Sequence, residues 1–530
     1  MTAKKLLLCI CLLIALACPA PAAATVIVNG YPDEAGRRLD DDDVKTVEPS
    51  GDYTLYTDYA NGFSFRCPAG LTPDWSLSAV RIVFADDTTR IEIYRDDLRG
   101  TAATAADFIS YGNRFVIASP DHTIQADEWL TAADGYSAHL LAWTRRPLAR
   151  VPGDKNNYAS IEIVKSDSEV YTIFIKSSQP IDNAYDLLAG LTIFEPRGVA
   201  RNYLRHASSA TPMGVETKAF YSNYFGDRAP LTWGIFEPAA PQTLGQLDNL
   251  EKRLDFSFPV LLHYQMIDEQ FPVWGLDNAY RHGKYVELTL QTTRAGQVNA
   301  LWATETGNAG MVYAILDGQY DDYFAAYADK LKEFGHPVLF RLNNEMNGDW
   351  CWYSAFYTGK DAELYQALWR YIHGIFAARG VDNVIWVWNP HDVSLPAFKW
   401  NHYLAYYPGD EYVDVVGLTG YNNGTYFPGE RWREFAEIYP ALHNEYASHF
   451  DKPFMITEFS SNSYGGDKVA WIDGMFDEIK KLDRIKVAVW WSGVDFDQNG
   501  QPGRIYLIDE NDQILDTFKA RLKEYKGGGR

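Results

Sequence analysis

The sequence predicts an α/β protein: a (β/α)8 TIM barrel preceded by a small α+β domain with an antiparallel sheet. From Leu231 onward, eight short apolar segments alternate with helical patterns, which is the element order of a closed parallel barrel. Before about residue 197, apolar segments follow one another with few helical patterns between them, and several alternate with period two, as antiparallel strands do. A doubly wound open sheet is the alternative for the second half, but no glycine-rich phosphate loop follows its first strand.

The composition limits the number of domains and the classes of partner. Of the 530 residues, 47% are hydrophobic and 15% aromatic, enough for two or three domains with real cores. The formal net charge of −22 repels phosphate backbones and anionic lipid surfaces, so we expect no nucleic acid and no membrane as a partner. Beyond the N-terminal apolar segment only Cys67 and Cys351 remain, which excludes a disulfide framework and a thiolate metal cluster.

Residues 1–24 are typical of a secretory signal peptide. Lys4 and Lys5 precede an apolar run that ends in small residues. The run is too short for a transmembrane helix. We therefore expect a secreted protein without membrane insertion, with a lipoprotein modified at Cys18 as the alternative.

The chain after this segment divides by composition and pattern. In order, the predicted regions are an acidic linker (25–52), an α+β accessory domain (53–196), a connector (197–228) and the barrel (229–526). The strand order of the accessory domain resembles that of PsbP/Mog1-like domains, and the domain contains no recognisable catalytic cluster.

The barrel strands are predicted from apolar runs of strand length. They are Thr232–Phe236, Pro259–Met266, Tyr285–Thr293, Pro337–Asn344, Asn383–Trp388, Val413–Leu418, Pro453–Glu458 and Lys486–Ser492.

Two glutamates stand at the ends of predicted barrel strands. Glu345 follows the fourth strand and Glu458 ends the seventh, each after a strongly apolar run. Functional groups of such barrels lie at the C-terminal tips of the strands, so both carboxyls face the same end. Glycoside hydrolysis needs two carboxyls, one as general acid/base and one as nucleophile or second base. The alternative is that each glutamate is a structural cap or an ion-pair partner.

The motif around the first glutamate is specific. The segment RLNNEMNGDW at 341–350 resembles the acid/base motif R-x-x-H-E-M-N-G-x-W of glycoside hydrolase family 26. The later blocks NVIWVWNP, YYPGDEYVDVVGLTGYN and KPFMITEF resemble that family in order and spacing. The resemblance covers about 220–525. It implies a (β/α)8 catalytic domain that hydrolyses β-linked polysaccharide with retention and without a cofactor or metal.

Position by position, the resemblance implies roles for individual residues. Glu345 is the acid/base and Glu458 the nucleophile. Tyr421, after the sixth strand, matches the tyrosine that donates a hydrogen bond to the nucleophile. Arg341 lies four residues before Glu345 on the same face of an extended strand, and a cation there would keep Glu458 anionic.

Several aromatic residues are candidates to bind sugar. The resemblance implies that Trp350 and Trp490 line the sugar subsites, and Trp352 and Trp388 are further substrate-binding candidates. Core packing is the alternative for each. For Trp491 and Tyr353 the sequence leaves packing and binding open.

One residue departs from the family pattern. The family usually has histidine immediately before the acid/base, whereas this chain has Asn344. Elsewhere in the same clan the equivalent amide bonds the sugar 2-hydroxyl, a contact that strengthens in the transition state. Asn344 therefore favours mixed-linkage β-glucan, while the family as a whole favours mannan.

The function expected from the sequence is that of a secreted, monomeric endo-β-glycanase, most simply on β-1,4-mannan or glucomannan. The alternatives are a β-1,3-1,4-glucanase (lichenase) or a xylanase of the same family, and, from another class, a non-catalytic glycan-binding protein. His263 and His391 are further cleft candidates. The segment Asp495–Gly503 resembles the first half of a calcium-binding loop but is not followed by the final glutamate of such a loop, so we predict a polar hairpin.

Overall fold

The computed structural model describes residues 24–33, 40–101, 103–295 and 310–525. The predicted signal peptide, apart from Ala24, and Cys18 lie outside this part. The chain divides into two compact units: one comprises the chain up to Tyr111 with 122–147 and 153–204, the other 112–121, 148–152 and the chain from Arg205 onward. Within the described ranges, no helix combines the length and apolar character needed to cross a bilayer.

The first unit contains two antiparallel sheets. The six-stranded sheet has the order β13-β5-β4-β3-β1-β2 and the seven-stranded sheet the order β6-β7-β8-β12-β11-β10-β9. The strands are β1 (Thr25–Val28), β2 (Tyr31–Pro32), β3 (Val44–Ser50), β4 (Tyr53–Asp58), β5 (Phe63–Pro68), β6 (Thr72–Asp74), β7 (Ile82–Ala85), β8 (Thr89–Asp97), β9 (Thr123–Thr131), β10 (Ser137–Thr144), β11 (Asn157–Ser166), β12 (Glu169–Ser177) and β13 (Leu191–Ile193).

Period-two alternation gives this unit its core. On β11 and β12, Ile161 pairs with Ile173, and both side chains point to the same face of the sheet. They join a cluster of buried apolar residues from both sheets. Two helices, α1 (Ala105–Ala118) and α2 (Ala184–Ala189), lie among the strands of this part of the chain. The antiparallel α+β part of the predicted fold class is confirmed.

The expected acidic linker needs a correction. Residues 25–52 contribute β1, β2 and β3 to the six-stranded sheet. The last residue of the acidic run 40–43 is paired inside the sheet: Lys45, which is 1% exposed, bonds Asp43 and lies 3.5 Å from Asp58. Lys45 of β3 lies opposite Asp58 of β4 in the sheet, so the segment is part of the folded unit.

The second unit is built on a closed parallel barrel. The strands follow one another around it in chain order, β14 to β21, and β14 pairs with β21 to close it. They are β14 (Thr232–Phe236), β15 (Val260–Met266), β16 (Tyr285–Gln291), β17 (Val338–Leu342), β18 (Val384–Trp388), β19 (Val415–Thr419), β20 (Phe454–Phe459) and β21 (Ile485–Trp491). The predicted (β/α)8 barrel is confirmed, with each strand within a few residues of its expected bounds.

Helices alternate with the barrel strands. They are α3 (Val215–Phe225), α4 (Gly245–Leu254), α5 (Val273–Arg281), α6 (Met311–Leu316), α7 (Asp321–Phe334), α8 (Ala362–Ala378), α9 (Phe435–His449), α10 (Lys468–Ile479) and α11 (Asp512–Leu522), with 3-10 turns at Lys399–Asn401, Tyr403–Tyr406, Asp410–Tyr412 and Lys523–Tyr525. The hairpin strands β22 (Val494–Phe496) and β23 (Pro502–Ile505) follow β21.

The barrel interior is filled by every second residue of its strands. On β18 the inner cluster includes Ile385 and Val387, and on β21 it includes Val487 and Val489. The intervening residues therefore face the helices. The expected connector, 197–228, is also corrected here, because α3 lies within it and places Phe220 and Phe225 in this inner cluster.

Candidate active site

The strand tips bring the two glutamates to one end of the barrel. Glu458 lies within the last two residues of β20, and Glu345 follows β17 by three residues. Their side chains are only 5% and 12% exposed. The carboxylate of Glu458 is close enough to raise the pKa of Glu345. The structure therefore brings the two predicted acids together at the same end of the barrel.

The backbone that carries Glu345 is strained. Asn343 and Glu345 both have a φ of 54°, a left-handed conformation that costs about 1–3 kcal/mol in a non-glycine residue and persists only where surrounding contacts fix it. Oδ1 of Asn343 accepts hydrogen bonds from the N–H and hydroxyl of Thr292 at 2.8 and 3.0 Å. The N–H of Glu345 donates to the carbonyl of Asn389 at 2.8 Å. Such maintained strain is typical of functional positions.

Two donors converge on one oxygen of Glu458. The hydroxyl of Tyr264 and Nη2 of Arg341 both donate to Oε2, the latter at 2.8 Å. Burial, together with the negative charge of Glu458, holds the pKa of Tyr264 well above its usual value, so the phenol keeps its proton and donates. In the part of the chain that the structure describes, Oε1 accepts no hydrogen bond and is open to a ligand.

Arg341 is itself fixed on several sides. Its side chain is fully buried, Nε donates to the hydroxyl of Thr289 at 2.7 Å, and Nη1 donates to Oδ1 of Asn389 at 3.0 Å. The guanidinium carbon lies 5.4 Å from the centroid of the Tyr264 ring, within cation–π range. The structure thus places the predicted cation, immobilised, against Glu458.

Glu345 has fewer hydrogen-bond donors around it than Glu458. Its Oε2 accepts a hydrogen bond from the indole Nε1 of Trp350 at 2.9 Å, and Nε2 of His391 lies 3.9 Å from its Oε1. The indole reaches back across Gly348, where a Cβ would lie 2.5 Å from the ring. Burial and the charge of Glu458 raise the pKa of Glu345 to about 7. Such contrasting surroundings suit one acid that is protonated near neutral pH and one paired carboxylate.

Asn344 is held in one orientation. Its Oδ1 accepts hydrogen bonds from Nε2 of Gln291 at 3.0 Å and from the hydroxyl of Tyr353 at 3.2 Å, and this hydroxyl also donates to the Asn344 carbonyl at 2.6 Å. Because its oxygen is occupied, Asn344 presents its amide nitrogen to a ligand, as a donor.

Tyr421 does not make the contact expected of it. Among the described residues, its hydroxyl forms no hydrogen bond with Glu458, and its ring packs against Tyr506 with centroids 5.3 Å apart. It is still near the acids, because burial and then the charge of Glu458 hold the pKa of Tyr421 well above its usual value. The bonding hydroxyl belongs to Tyr264, which projects from the inside of β15, whereas Tyr421 lies beyond the end of β19.

Three of the four predicted sugar-binding tryptophans are core residues. Trp352, Trp388 and Trp490 are 2%, 0% and 0% exposed, and Nε1 of Trp490 donates to the carbonyl of Tyr506 at 3.0 Å. Trp388 and Trp490 occupy outward-facing positions of β18 and β21, so their rings pack towards the helices. No sugar can stack on these three rings, and their assignment to substrate binding was wrong.

Two other tryptophans remain open to the cleft. Trp350 is partly exposed, and its ring meets His391 edge-on with centroids 5.0 Å apart. Trp491 is partly exposed at an inward-facing position of β21 and stacks on Phe236, with centroids 4.9 Å apart and planes 13° from parallel. Trp350 was predicted, and for Trp491 the structure favours the cleft.

Two contacting residues, Tyr264 and Gln291, were not predicted. Both lie at inward-facing positions near the C-terminal ends of β15 and β16. A period-two count from the apolar Leu262 reaches Tyr264, so the sequence held a signal for it. Of the two histidine candidates, His391 lies beside Glu345, whereas His263 alternates with Leu262 and Tyr264 and faces away from the barrel interior.

The segment 495–503 forms the predicted hairpin. Strands β22 and β23 pair antiparallel across it. In the described ranges, no group of three or more His, Cys, Asp or Glu side chains is arranged to hold a metal ion.

Comparison with known proteins agrees with the geometry. Residues 285–487 match the model of Glycosyl hydrolase family 26. Endoglucanase H of Acetivibrio thermocellus is 34% identical over 181 residues, which are 33% of this chain and 20% of that protein. A mannan endo-1,4-beta-mannosidase of Bacillus subtilis is 36% identical over 147 residues, which are 26% of this chain and 35% of that protein. The chain thus spans only a fifth to a third of the length of these relatives.

A solved GH26 beta-mannanase from Bacteroides ovatus superposes with a TM-score of 0.42 and 18% identity, covering 59% of this chain and 94% of that one. At this score the fold assignment rests on the strand topology described above. The family model, in contrast, includes both strand-tip acids. Residues 285–487 of this chain, with Glu345 and Glu458 among them, therefore form a glycosyl hydrolase family 26 domain.

Proposed function

We propose that this protein is an endo-acting β-glycanase that hydrolyses polysaccharide by double displacement with retention. The observation that carries this proposal is the contrast between the two acids. Glu345 has a pKa raised to about 7 by burial and by Glu458, while Glu458 accepts hydrogen bonds from Tyr264 and Arg341. One environment keeps a proton to donate, and the other stabilises a carboxylate.

In the first step, Glu345 protonates the leaving glycosidic oxygen while Glu458 attacks the anomeric carbon. Oε2 of Glu458 is held by Tyr264 and Arg341, so Oε1 is the attacking oxygen. The indole of Trp350 donates to Oε2 of Glu345, which leaves Oε1 to carry the transferred proton. The product of this step is a glycosyl-enzyme ester on Glu458.

In the second step, Glu345, now ionised, takes a proton from water as the water attacks the anomeric carbon. The bond between sugar and Glu458 breaks, and Glu458 leaves as a carboxylate facing Arg341. The amide nitrogen of Asn344, oriented by Gln291 and Tyr353, donates to the sugar 2-hydroxyl in both steps, a contact that strengthens as charge develops.

We propose β-1,4-mannan or glucomannan as the main substrate, supported by several relatives described as mannan endo-1,4-beta-mannosidases. The second candidate is mixed-linkage β-glucan, which Asn344 in place of the family histidine favours and which suits the similarity to endoglucanase H. Initial rates on galactomannan, glucomannan, barley β-glucan and xylan rank these candidates and the xylanase alternative.

The test of the mechanism is E458A, with E478A, at a partly exposed glutamate of α10, as the matched control. We expect E458A to lose more than 1,000-fold in activity on the best substrate, by order of magnitude for a lost nucleophile, and E478A to stay within about twofold of the parent. Proton NMR of the first product should show the β anomer. Unchanged turnover by E458A would refute the assignment, and an inactive parent that still binds glycan would favour the binding-protein alternative.

We also propose that the protein acts outside the cell as a monomer. The support for export is the leader-like sequence at 1–24. N-terminal sequencing of protein from culture medium should begin after Ala22 to Ala24, whereas a lipid-modified N-terminal Cys18 would favour the lipoprotein alternative. Size-exclusion chromatography with light scattering should give the monomer mass.

A further inference from the structure

A third carboxyl lies inside the barrel, on Glu287 of β16. Its side chain is fully buried, and Oε1 is 3.1 Å from Nε of Arg341. That nitrogen, however, donates its hydrogen to the hydroxyl of Thr289 at 2.7 Å. Neither oxygen of Glu287 has a hydrogen-bond partner within the described part of the chain. The proposed mechanism gives this acid no task.

The surroundings of Glu287 favour its neutral form. A buried carboxylate that accepts no hydrogen bond is costly. Nη2 of Arg341 is already bonded to Glu458 at 2.8 Å. Burial raises the pKa of Glu287 to about 8; the charge of Glu458 adds to this rise and that of Arg341 opposes it.

The ionisable groups around Glu287 come from three other strands. Arg341 lies on β17, the neighbour of β16, and Glu458 lies on β20. Tyr264, on the other neighbour β15, bonds Glu458 and packs against Arg341, and its raised pKa keeps it neutral. The charge on this cluster near neutral pH is therefore set by Glu287, Glu458 and the permanent cation.

On the basis of the retaining function proposed above, we propose that Glu287 is a positioning residue. While Glu287 keeps its proton, the positive charge of Arg341 acts on Glu458 alone as that carboxylate leaves the glycosyl-enzyme. If Glu287 ionises, a second negative charge lies beside the guanidinium. The departing carboxylate of Glu458 then has a weaker partner, and hydrolysis of the ester slows. Glu287 acts only through Arg341 and does not touch the sugar.

This effect can be separated from the titration of Glu345. With a 2,4-dinitrophenyl β-disaccharide, the leaving group needs no acid, so the second step limits kcat. In that step Glu345 works ionised and produces no fall in rate at high pH. Any fall in kcat at alkaline pH must then come from another group.

The experiment measures kcat against pH for the parent and for E287Q, whose amide is neutral at every pH and has nearly the same shape. For the parent we expect kcat to fall as the pH is raised from 7 to 9 and Glu287 loses its proton. Because kcat here reports the glycosyl-enzyme, in which Glu458 carries no charge, this fall begins at a lower pH than the titration of Glu287 in the free enzyme. For E287Q we expect kcat at pH 7 within about threefold of the parent and no fall at pH 9. Circular dichroism at pH 9 controls for unfolding.

The proposal is overturned if the parent's kcat does not fall, or if folded E287Q falls as the parent does. A measurement independent of turnover covers the case in which E287Q does not fold or the parent cleaves no glycan. In E345Q labelled with 13C at the glutamate carboxyls, one buried carboxyl should titrate near pH 8. If no carboxyl titrates there, the proposal for Glu287 is overturned. If one does and the parent cleaves no glycan, Glu287 is protonated as proposed and only the proposed function is refuted.

Discussion

At the scale of single residues, the site is organised around a barrel tyrosine that no local motif marks. Tyr264 is far from both acids in the chain, yet its hydroxyl donates to Glu458. A neutral donor helps to hold a carboxylate oriented without adding charge, while Arg341 supplies the charge. This division leaves one oxygen of Glu458 for attack.

We therefore expect Y264F to lower kcat/KM on the best glycan about 10- to 100-fold, the loss of one hydrogen bond to a charged group. Y421F is the matched control, because the hydroxyl of Tyr421 does not bond Glu458 although burial and the charge of Glu458 raise its pKa. Steady-state kinetics at one pH decide the matter. A larger loss in Y421F than in Y264F would contradict the arrangement described here.

The residues that could be predicted are those whose role shows in local pattern. Glu345 and Glu458 became candidates because a charged residue at the end of an apolar run is unusual. Arg341 became one because an extended strand running through Glu345 was expected, whereas β17 ends at Leu342 and Glu345 lies beyond it. Alternation from Leu262 marks Tyr264 as inward-facing, but the contacts of Tyr264 and Gln291 escaped prediction because their partners come from other strands. Which strands face each other across a closed barrel depends on its register, and no short sequence segment encodes that.

At the scale of elements, the alternation of side chains along a strand decides which aromatic rings face the cleft. Trp490 and Trp491 are adjacent in sequence, but one packs against Phe518 of α11 and the other stacks on Phe236 inside the barrel. The count from Val487 and Val489 gives this outcome directly. Once Val487 and Val489 are known to face inward, alternation separates the pair, and the same count from Ile385 and Val387 places Trp388 outside the barrel interior. Only the position of the buried Trp352 needed the full packing.

The two tryptophans should respond differently to truncation. We expect W490A to lower the free energy of unfolding by about 3–5 kcal/mol, because it leaves a large cavity between β21 and α11. W491A should lower the free energy of unfolding less than W490A, because Trp491 is only partly buried, and should raise KM for polysaccharide several-fold, because an open stacking surface is lost. Thermal unfolding and KM measured on both variants give the comparison, and a higher KM with an unchanged melting temperature in W490A would be inconsistent with it.

At the scale of the whole molecule, barrel closure extends beyond the segment that matches the family model. That segment, 285–487, begins at β16 and stops within β21. It lacks β14, which pairs with β15 on one side and with β21 on the other. It also lacks β15 and with it Tyr264. The family match therefore includes Glu345 and Glu458, whereas the closed sheet that holds them needs two further strands, β14 and β15.

We expect the segment 285–487, expressed alone, to fail to fold. Without β14 and β15 the sheet cannot close, and the exposed edges of β16 and β20 present unpaired N–H and C=O groups that promote aggregation. The inner apolar cluster would also lose Val260 and Leu262. Circular dichroism, thermal unfolding and limited proteolysis, with the full chain as control, measure this outcome. A soluble segment with a cooperative transition would show that these two strands are dispensable, and residual hydrolysis by it would show that Tyr264 is dispensable for catalysis.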